Sequence, residues 1–299
     1  MSDQKKLTLT AAIGSRVWRK NLEAVQAEAE TFQLAFADVS PIHRAFAPMA
    51  REQKFDVSEM AIVTALQAIA YGKPLLILPV TLAARFQQGC LIARKSDVPL
   101  TPADLAGRRI GVRAFTQTTG VWLRGILQND YGVSPDSIRW VTQEGAHLAE
   151  YRDPSWVERA PSGRTLAALL KSGDVDAAIF GNDLPDDPDF VPVIAAPREA
   201  ANAWFEKYGV VPINHMMVVR KDVASEHPAA IRELWQLLYR AKPVTPQGPD
   251  MAPLGIAANR ASLAMVLQYC EQQKLLPRPM TVDDIFGETI AVLGGTLKD

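Results

Sequence analysis

Short apolar runs alternate with amphipathic stretches along almost the whole chain. Residues 7–13 read as a buried strand, and 17–29 carry the three-and-four spacing of a helix. A strand at 32–37, a short helix at 41–51 and a brief strand at 55–57 follow. Ser58 stands where an N-cap would open a helix over 59–71. The turn Gly72-Lys73-Pro74 leads into an apolar strand at 75–79. Strand then helix, repeated, predicts parallel strands with helices on both faces, an α/β protein.

A second series begins after a strand at 91–94. It comprises a capped turn at 101–105, a strand at 107–112, a helix opening at 116–120 and running to 131, and a strand at 138–142. A helix at 166–172, strands at 175–180 and 191–195, and a helix at 197–208 complete it. The loop at 183–189 is acidic and contains proline. A strand at 213–220, helices at 229–240 and 258–274, and a Pro-rich linker at 243–253 form the tail. A return of the chain at 213–220 predicts two lobes: residues 1–92 with 219–299, and residues 93–218, with a ligand cleft between them.

Composition changes this picture little. The 299 residues are 48% hydrophobic and 22% charged, ordinary for a globular protein of two lobes. A formal net charge of −1 gives no basic footprint for nucleic acid. No apolar run approaches the 18 or so residues that a membrane span needs. Residues 1–13 lack the basic, apolar and small-residue succession of a secretory leader, so a cytoplasmic location is expected. Cys90 and Cys270 make no CxxC pair and read as buried thiols.

Dinucleotide, P-loop, GxSxG and HExxH signatures are missing, and His43, His147, His215 and His227 show no metal-ligand spacing. No metal or cofactor is expected. Candidate chemistry lies instead at the C-terminal ends of strands, where open α/β sheets bind ligands. The first strand ends in Gly14-Ser15-Arg16, and the third in Ser58-Glu59-Met60. Thr116, Thr118 and Thr119 follow a strand and open a helix, whose free N–H groups suit a carboxylate. Alternatively these threonines only cap it. Arg85 can grip a carboxylate bidentately or stand exposed on the surface. Glu59 reads as an acid–base group or as a first-turn carboxylate satisfied by the helix dipole. His215, beside Asn214 on the return strand, reads as a proton carrier or as a structural histidine.

Gly107-Arg108-Arg109-Ile110-Gly111-Val112, residues 170–179 and the return strand resemble the type II periplasmic binding protein fold. A sharper resemblance is carried by Phe55-Asp56-Val57-Ser58-Glu59-Met60, Gly72-Lys73-Pro74, Leu78-Pro79-Val80 and Arg85-Phe86. Residues 118–128, Tyr131-Gly132-Val133 and Ile213-Asn214-His215 add to it. Over about residues 5–295 these segments resemble the 4,5-dihydroxyphthalate decarboxylase family. Where that family often has a basic residue and a histidine after Arg-Phe, this chain has Gln87 and Gln88.

The resemblance implies a cofactor-independent, non-oxidative carboxy-lyase acting on a hydroxylated aromatic dicarboxylate, 4,5-dihydroxyphthalate or a close analogue. Its partner is then a small aromatic carboxylate, with neither nucleic acid nor membrane involved. The sequence leaves a homo-oligomer open. On this reading Arg16, Arg85, Thr116, Thr118 and Thr119 anchor carboxylates, Ser58 and Asn214 contact the ligand, and Glu59 and His215 face each other across the ring and divide the base and acid roles between them, in either order. The alternative is a solute-binding receptor of an ABC-type transporter for a small organic anion. Fold alone does not separate the two.

Overall fold

Strand and helix alternate as the polarity pattern predicts. The structure, a computed structural model, describes residues 6–245 and 247–297. The opening residues used above to read the absence of a leader are therefore described only from Lys6. Pro246, inside the Pro-rich linker, lies outside the described residues.

The first series is β1 (Leu7–Ala12), α1 (Arg16–Val25), β2 (Phe32–Phe36), α2 (Phe46–Glu52), β3 (Val57–Ala61), α3 (Ile62–Ala70) and β4 (Leu75–Ala84). The second is β5 (Leu91–Arg94), β6 (Arg109–Val112), α4 (Thr118–Tyr131), β7 (Arg139–Thr142), β8 (Glu158–Arg159), α5 (Leu166–Ser172), β9 (Ala177–Ile179), β10 (Phe190–Pro192) and α6 (Pro197–Tyr208). The chain ends with β11 (Ile213–Arg220), α7 (Lys221–Glu226), α8 (Pro228–Ala241), α9 (Ile256–Gln272) and α10 (Val282–Leu293). No helix among the described residues is long and apolar enough to cross a membrane.

Two compact units result. One holds the described residues of Met1–Arg85, Ile213–Leu267 and Leu276–Asp299, and the other holds Phe86–Pro212 with Gln268–Leu275. The last turn of α9 thus belongs with the second unit, a share that its apolar pattern alone does not reveal. The cause is local. The Tyr269 ring sits on α4 where Gly125 leaves room, and a Cβ on that glycine would stand 2.0 Å from the ring. Trp122 meets the same ring edge-on, with centroids 5.5 Å apart. Asp130, near the end of α4, accepts hydrogen bonds from Trp204 (3.1 Å), Lys207 (2.8 Å) and Tyr208 (2.6 Å), which pins α6 alongside.

The first unit's sheet has the order β2-β1-β3-β11-β4, and the second unit's has β10-β5-β9-β6-β7-β8. The alternation predicts parallel strands, but neither sheet is wholly parallel. β11 runs antiparallel to both β3 and β4, and β5 runs antiparallel to β9 and β10. Trp18 and Leu22 of α1 and Leu234, Trp235 and Leu238 of α8 are buried in the core cluster that includes Leu9, Val57 and Leu78 of that sheet. Each such side chain contributes about 1.5–3 kcal/mol on burial. A separate core in the second unit gathers Ile92, Val141, Leu169, Leu170 and Phe180. Cys90 and Cys270 are buried and form no disulfide.

Two boundaries differ from the sequence reading in ways that matter. The helix expected over 59–71 starts at Ile62, so Ser58 is not its N-cap and Glu59 lies within β3. Tertiary pairing overrides the local signal, because β3 is wholly buried between β1 and β11, with Glu59 opposite Met217. The strand expected at 75–79 continues through Pro79 to Ala84. A register shift between Met217, paired with Leu78, and Met216, paired with Thr81, accommodates the proline.

Candidate active site

β1 ends at Ala12, opposite Ser58 of β3. The chain leaving β1 for α1 therefore passes Glu59, the next residue of β3. Glu59 is 2% exposed. Its Oε2 accepts the backbone N–H groups of Gly14 and Ser15, each at 2.8 Å. Ser15 is the N-cap of α1 and its own side chain caps nothing, so the Glu59 carboxylate occupies that helix start in its place.

The other oxygen, Oε1, lies 2.6 Å from Nδ1 of His215 on the adjacent strand β11. Burial pushes the Glu59 carboxyl up. The hydrogen bond and charge of His215, and then the Ser15 and Gly14 amides, outweigh that and hold it below its ordinary 4.5. At neutral pH this is an ionised carboxylate with its acceptors filled. The His215 ring also meets Phe46 of α2 edge-on, with centroids 5.1 Å apart. Its side chain keeps 16% exposure. Nδ1 is committed to Glu59, which leaves Nε2 as the atom able to exchange a proton with a ligand.

Gly14 is a steric requirement of this arrangement. A Cβ there would stand 2.4 Å from Cβ of Ile42, in the turn before α2. Only glycine lets the α1 start approach that turn while its N–H points at Glu59.

The two residues expected to face each other across a ligand are thus hydrogen-bonded neighbours on adjacent strands. They form one unit in which a carboxylate orients an imidazole. The remaining candidates fall in different surroundings. Asn214 is 8% exposed and precedes His215 on β11. Ser58 is fully buried, and its hydroxyl donates to the carbonyl of Glu59 at 2.8 Å, so it is spent on backbone. Arg16 is exposed at the first position of α1, and Arg85 is partly buried just after β4.

In the second unit, Thr116, Thr118 and Thr119 are 4%, 4% and 3% exposed. α4 opens at Thr118 with Gln117 at the N-cap and no side-chain cap bond. Gln87 and Gln88, the departures from the family pattern, are both buried, at 0% and 1%. Among the described residues no cluster of three His, Cys, Asp or Glu is disposed to hold a metal ion.

Sequence reasoning missed Phe46, which offered no polar signal. It also missed Arg124, a charge inside the apolar run Val121-Trp122-Leu123-Arg124-Gly125-Ile126 of α4. That break in apolarity, with Gly120 one turn earlier, was the available clue.

Two units with mixed sheets, entered and left by one chain that returns on β11, define a type II periplasmic-binding-protein-like fold. Among solved structures, the alkanesulfonate-binding protein SsuA from Xanthomonas axonopodis pv. citri bound to MOPS matches with a TM-score of 0.61. It shares 16% identity, over 95% of this chain and 99% of that one. The desulfurization enzyme DSZB matches with a TM-score of 0.55 and 14% identity, over 94% of this chain and 96% of that one. At such identities the likeness is one of fold.

Likeness of sequence leads to proteins named 4,5-dihydroxyphthalate decarboxylase. One, from Comamonas testosteroni, is 30% identical over 197 residues, 60% of this chain and 58% of that protein. Another, from Pseudomonas putida, is 28% identical over 216 residues, 67% of this chain and 82% of that protein. The match therefore spans less than two thirds of the Comamonas protein's length. No family model matches the chain.

Proposed function

We propose that this chain is a non-oxidative carboxy-lyase for a hydroxylated aromatic dicarboxylate, 4,5-dihydroxyphthalate or a close analogue, and that His215 is its catalytic residue. The observation that carries the reading is the buried His215–Glu59 pair, anchored by the Gly14 and Ser15 amides. A protein that only binds needs no imidazole held by an ionised, fully bonded carboxylate. Proton transfer does. The names of the two relatives give the reaction class its second support.

In 4,5-dihydroxyphthalate each ring hydroxyl is para to a carboxylate. The hydroxyl gives its proton to water, and takes one back once CO2 has left; loss of that proton pushes electrons toward the carbon that bears that carboxylate. Nε2 of the protonated His215 donates a proton to this carbon, which becomes tetrahedral. The carbon–carbon bond then breaks, its electron pair restores the aromatic ring, and CO2 leaves. One proton is taken up for each CO2 released, and 3,4-dihydroxybenzoate remains. Glu59 does not exchange the proton in this scheme. It fixes the imidazole's orientation, a positioning role. Asn214 is assigned to a ring hydroxyl. Arg16 and Arg85, in the first unit, and the start of α4, in the second, are assigned to carboxylates.

The receptor reading is favoured by the structural likeness to SsuA, and one experiment separates the two. The protein is incubated with a panel of hydroxylated aromatic diacids, with binding and CO2 release followed side by side. The wild type releases CO2 from at least one of them. His215→Gln keeps most of the affinity and turns over about 10²-fold more slowly. Binding of a diacid without CO2 release refutes the lyase reading and leaves the receptor. Unchanged turnover in folded His215→Gln removes the catalytic assignment.

A further inference from the structure

Gln88 opens a short turn, Gln88–Cys90, that leads into β5. It is 1% exposed, yet neither Nε2 nor Oε1 of its side chain has a hydrogen-bond partner among the described residues. Oε1 of Gln117, the N-cap residue of α4, is likewise buried and unpartnered among them. Both residues belong to the second unit.

Strand pairing brings them to one edge of that unit's sheet. β6 and β9 run parallel, with Val112 opposite Ile179. Gln117 lies on the segment that joins β6 to α4, beyond the C-terminal end of β6. β5 runs antiparallel to β9 and starts at the same edge, with Leu91 opposite Ile179 and the Phe180 N–H donating to the Cys90 carbonyl at 2.9 Å. The Cys90 N–H donates to the Gln87 carbonyl at 2.9 Å, which closes the turn that carries Gln88 at this edge. Gly181 follows Phe180 there. A Cβ on it would stand 3.5 Å from Nε2 of Gln117 and 3.4 Å from Oδ1 of Asp183, so the Gln117 amide reaches the end of β9. In open α/β sheets this C-terminal edge of the parallel strands is where ligands bind.

The chemistry of the three atoms selects the group they can take. Buried polar atoms are nearly always hydrogen-bonded, and a buried amide without partners is costly. Nε2 of Gln88 donates, whereas Oε1 of Gln88 and Oε1 of Gln117 accept. An ionised carboxylate only accepts, so it would satisfy the donor and oppose both acceptors. Asp183, exposed at the same edge, accepts the Gly181 N–H at 2.9 Å, and its negative charge also disfavours a carboxylate there. A hydroxyl donates and accepts at once, and it is neutral.

We propose that Gln88, with Gln117, determines specificity: the two side-chain amides bind a ring hydroxyl of the ligand at this edge and select a hydroxylated ring over one without hydroxyls. The inference deepens the proposed function. It rests on that reading for the aromatic ring and not on turnover.

3,4-Dihydroxybenzoate and benzoate are the probes, titrated into the full chain and followed by calorimetry. They share one carboxylate and differ only in the hydroxyls. The wild type binds the dihydroxy acid at least about tenfold more tightly. Gln88→Met keeps the unbranched side chain and removes both polar atoms. It shrinks that preference about tenfold and leaves benzoate affinity within about threefold of the wild type. Gln117→Met shrinks the preference about threefold. Without ligand, Gln88→Met resists denaturant at least as well as the wild type, because it no longer buries an unpartnered amide.

A Gln88 that serves only the fold gives the opposite pattern, with denaturant resistance lost and the preference for hydroxyls intact. Where Gln88→Met does not fold, Gln88→Ala is read in its place for the same loss of preference. An intact preference in the folded variant, equal losses for both acids, or a wild type that does not bind 3,4-dihydroxybenzoate more tightly than benzoate overturns the proposal. Hydroxyl preference that follows Gln88, in a protein that releases no CO2, leaves this inference standing and removes the lyase reading. CO2 release by a protein whose Gln88 variant keeps the full preference does the reverse.

Discussion

Glu59→Gln is the most informative single change, because the structure dictates how the amide must sit. Two N–H groups, from Gly14 and Ser15, point at one carboxylate oxygen, each at 2.8 Å. An NH2 group cannot face two donors, so the glutamine oxygen must take that place. The NH2 then faces Nδ1 of His215 and donates to it. The imidazole is forced into the neutral tautomer with its proton on Nε2, and the charged form loses its partner.

Stability changes modestly. Charge-assisted hydrogen bonds contribute about 1.5–3 kcal/mol and neutral ones about 0.5–1.5. Weakening three bonds costs at most a few kcal/mol, and relief from burying a charge offsets much of it. The net loss is about 1–2 kcal/mol. Turnover falls far more, about 10²–10⁴-fold, as when an amide replaces the carboxylate that orients a catalytic histidine.

The assay pairs CO2 release per folded molecule with chemical denaturation. Acid unfolding gives an independent readout. The folded Glu59 carboxyl lies below its ordinary 4.5, so its contribution is fully present above that value. The contribution is lost as the pH falls toward the lower folded value, because the unfolded chain takes up the proton first. Glu59→Gln lacks this component and loses stability less steeply on that limb. Wild-type turnover in folded Glu59→Gln would refute the positioning role, and an unchanged acid limb would refute the ionised, buried carboxylate.

Gly14→Ala drives a Cβ to 2.4 Å from Ile42. It destabilises by about 1–3 kcal/mol and lowers turnover by displacing an amide from Glu59; a melting curve and a CO2 assay like those of the wild type would show that the approach is not needed. Asp130→Ala removes the acceptor of the Trp204 and Tyr208 donors and costs about 1–3 kcal/mol. Denaturant unfolding reads the loss, and ligand affinity unchanged beside it marks the cluster as structural.

Much of this architecture is legible in the polarity pattern, and the exceptions share a cause. Helices with local signals are found nearly where expected. Residues 197–208 form α6, capped by Gly209 in the left-handed region, and 166–172 form α5, capped by Thr165. Residues 213–220 form β11 as read. Glu59 and His215 are both recognisable as candidates, Glu59 as a polar residue just past a strand and His215 beside Asn214 on the return strand. Their relation is not legible. They stand 156 positions apart in the chain, and only the register of β3 on β11 brings them within a hydrogen bond. A helix assigned from Ser58 onward hid that register, because it removed Glu59 from any strand. α10 went unread although Thr281 and Asp284 form the capping box that announces it.

The same limit applies to the two helix starts that a sequence reader would treat alike. Gly14-Ser15-Arg16 before α1 and Thr116-Gln117-Thr118 before α4 both follow a strand and both promise free amides for an anion. In the structure they part ways for reasons that lie elsewhere in the chain. The α1 start is already neutralised by a carboxylate from β3, so its amides hold Glu59 and, through it, His215. The α4 start has no acidic side chain in its first turn and carries a buried guanidinium beneath it. An anion added to the first would compete with an ionised protein group, whereas the second has no acidic side chain in its first turn. The same strand-to-helix motif therefore stands in two different electrostatic settings. What decides between them is the sign of the single buried side chain that reaches the turn, a glutamate in one unit and an arginine in the other.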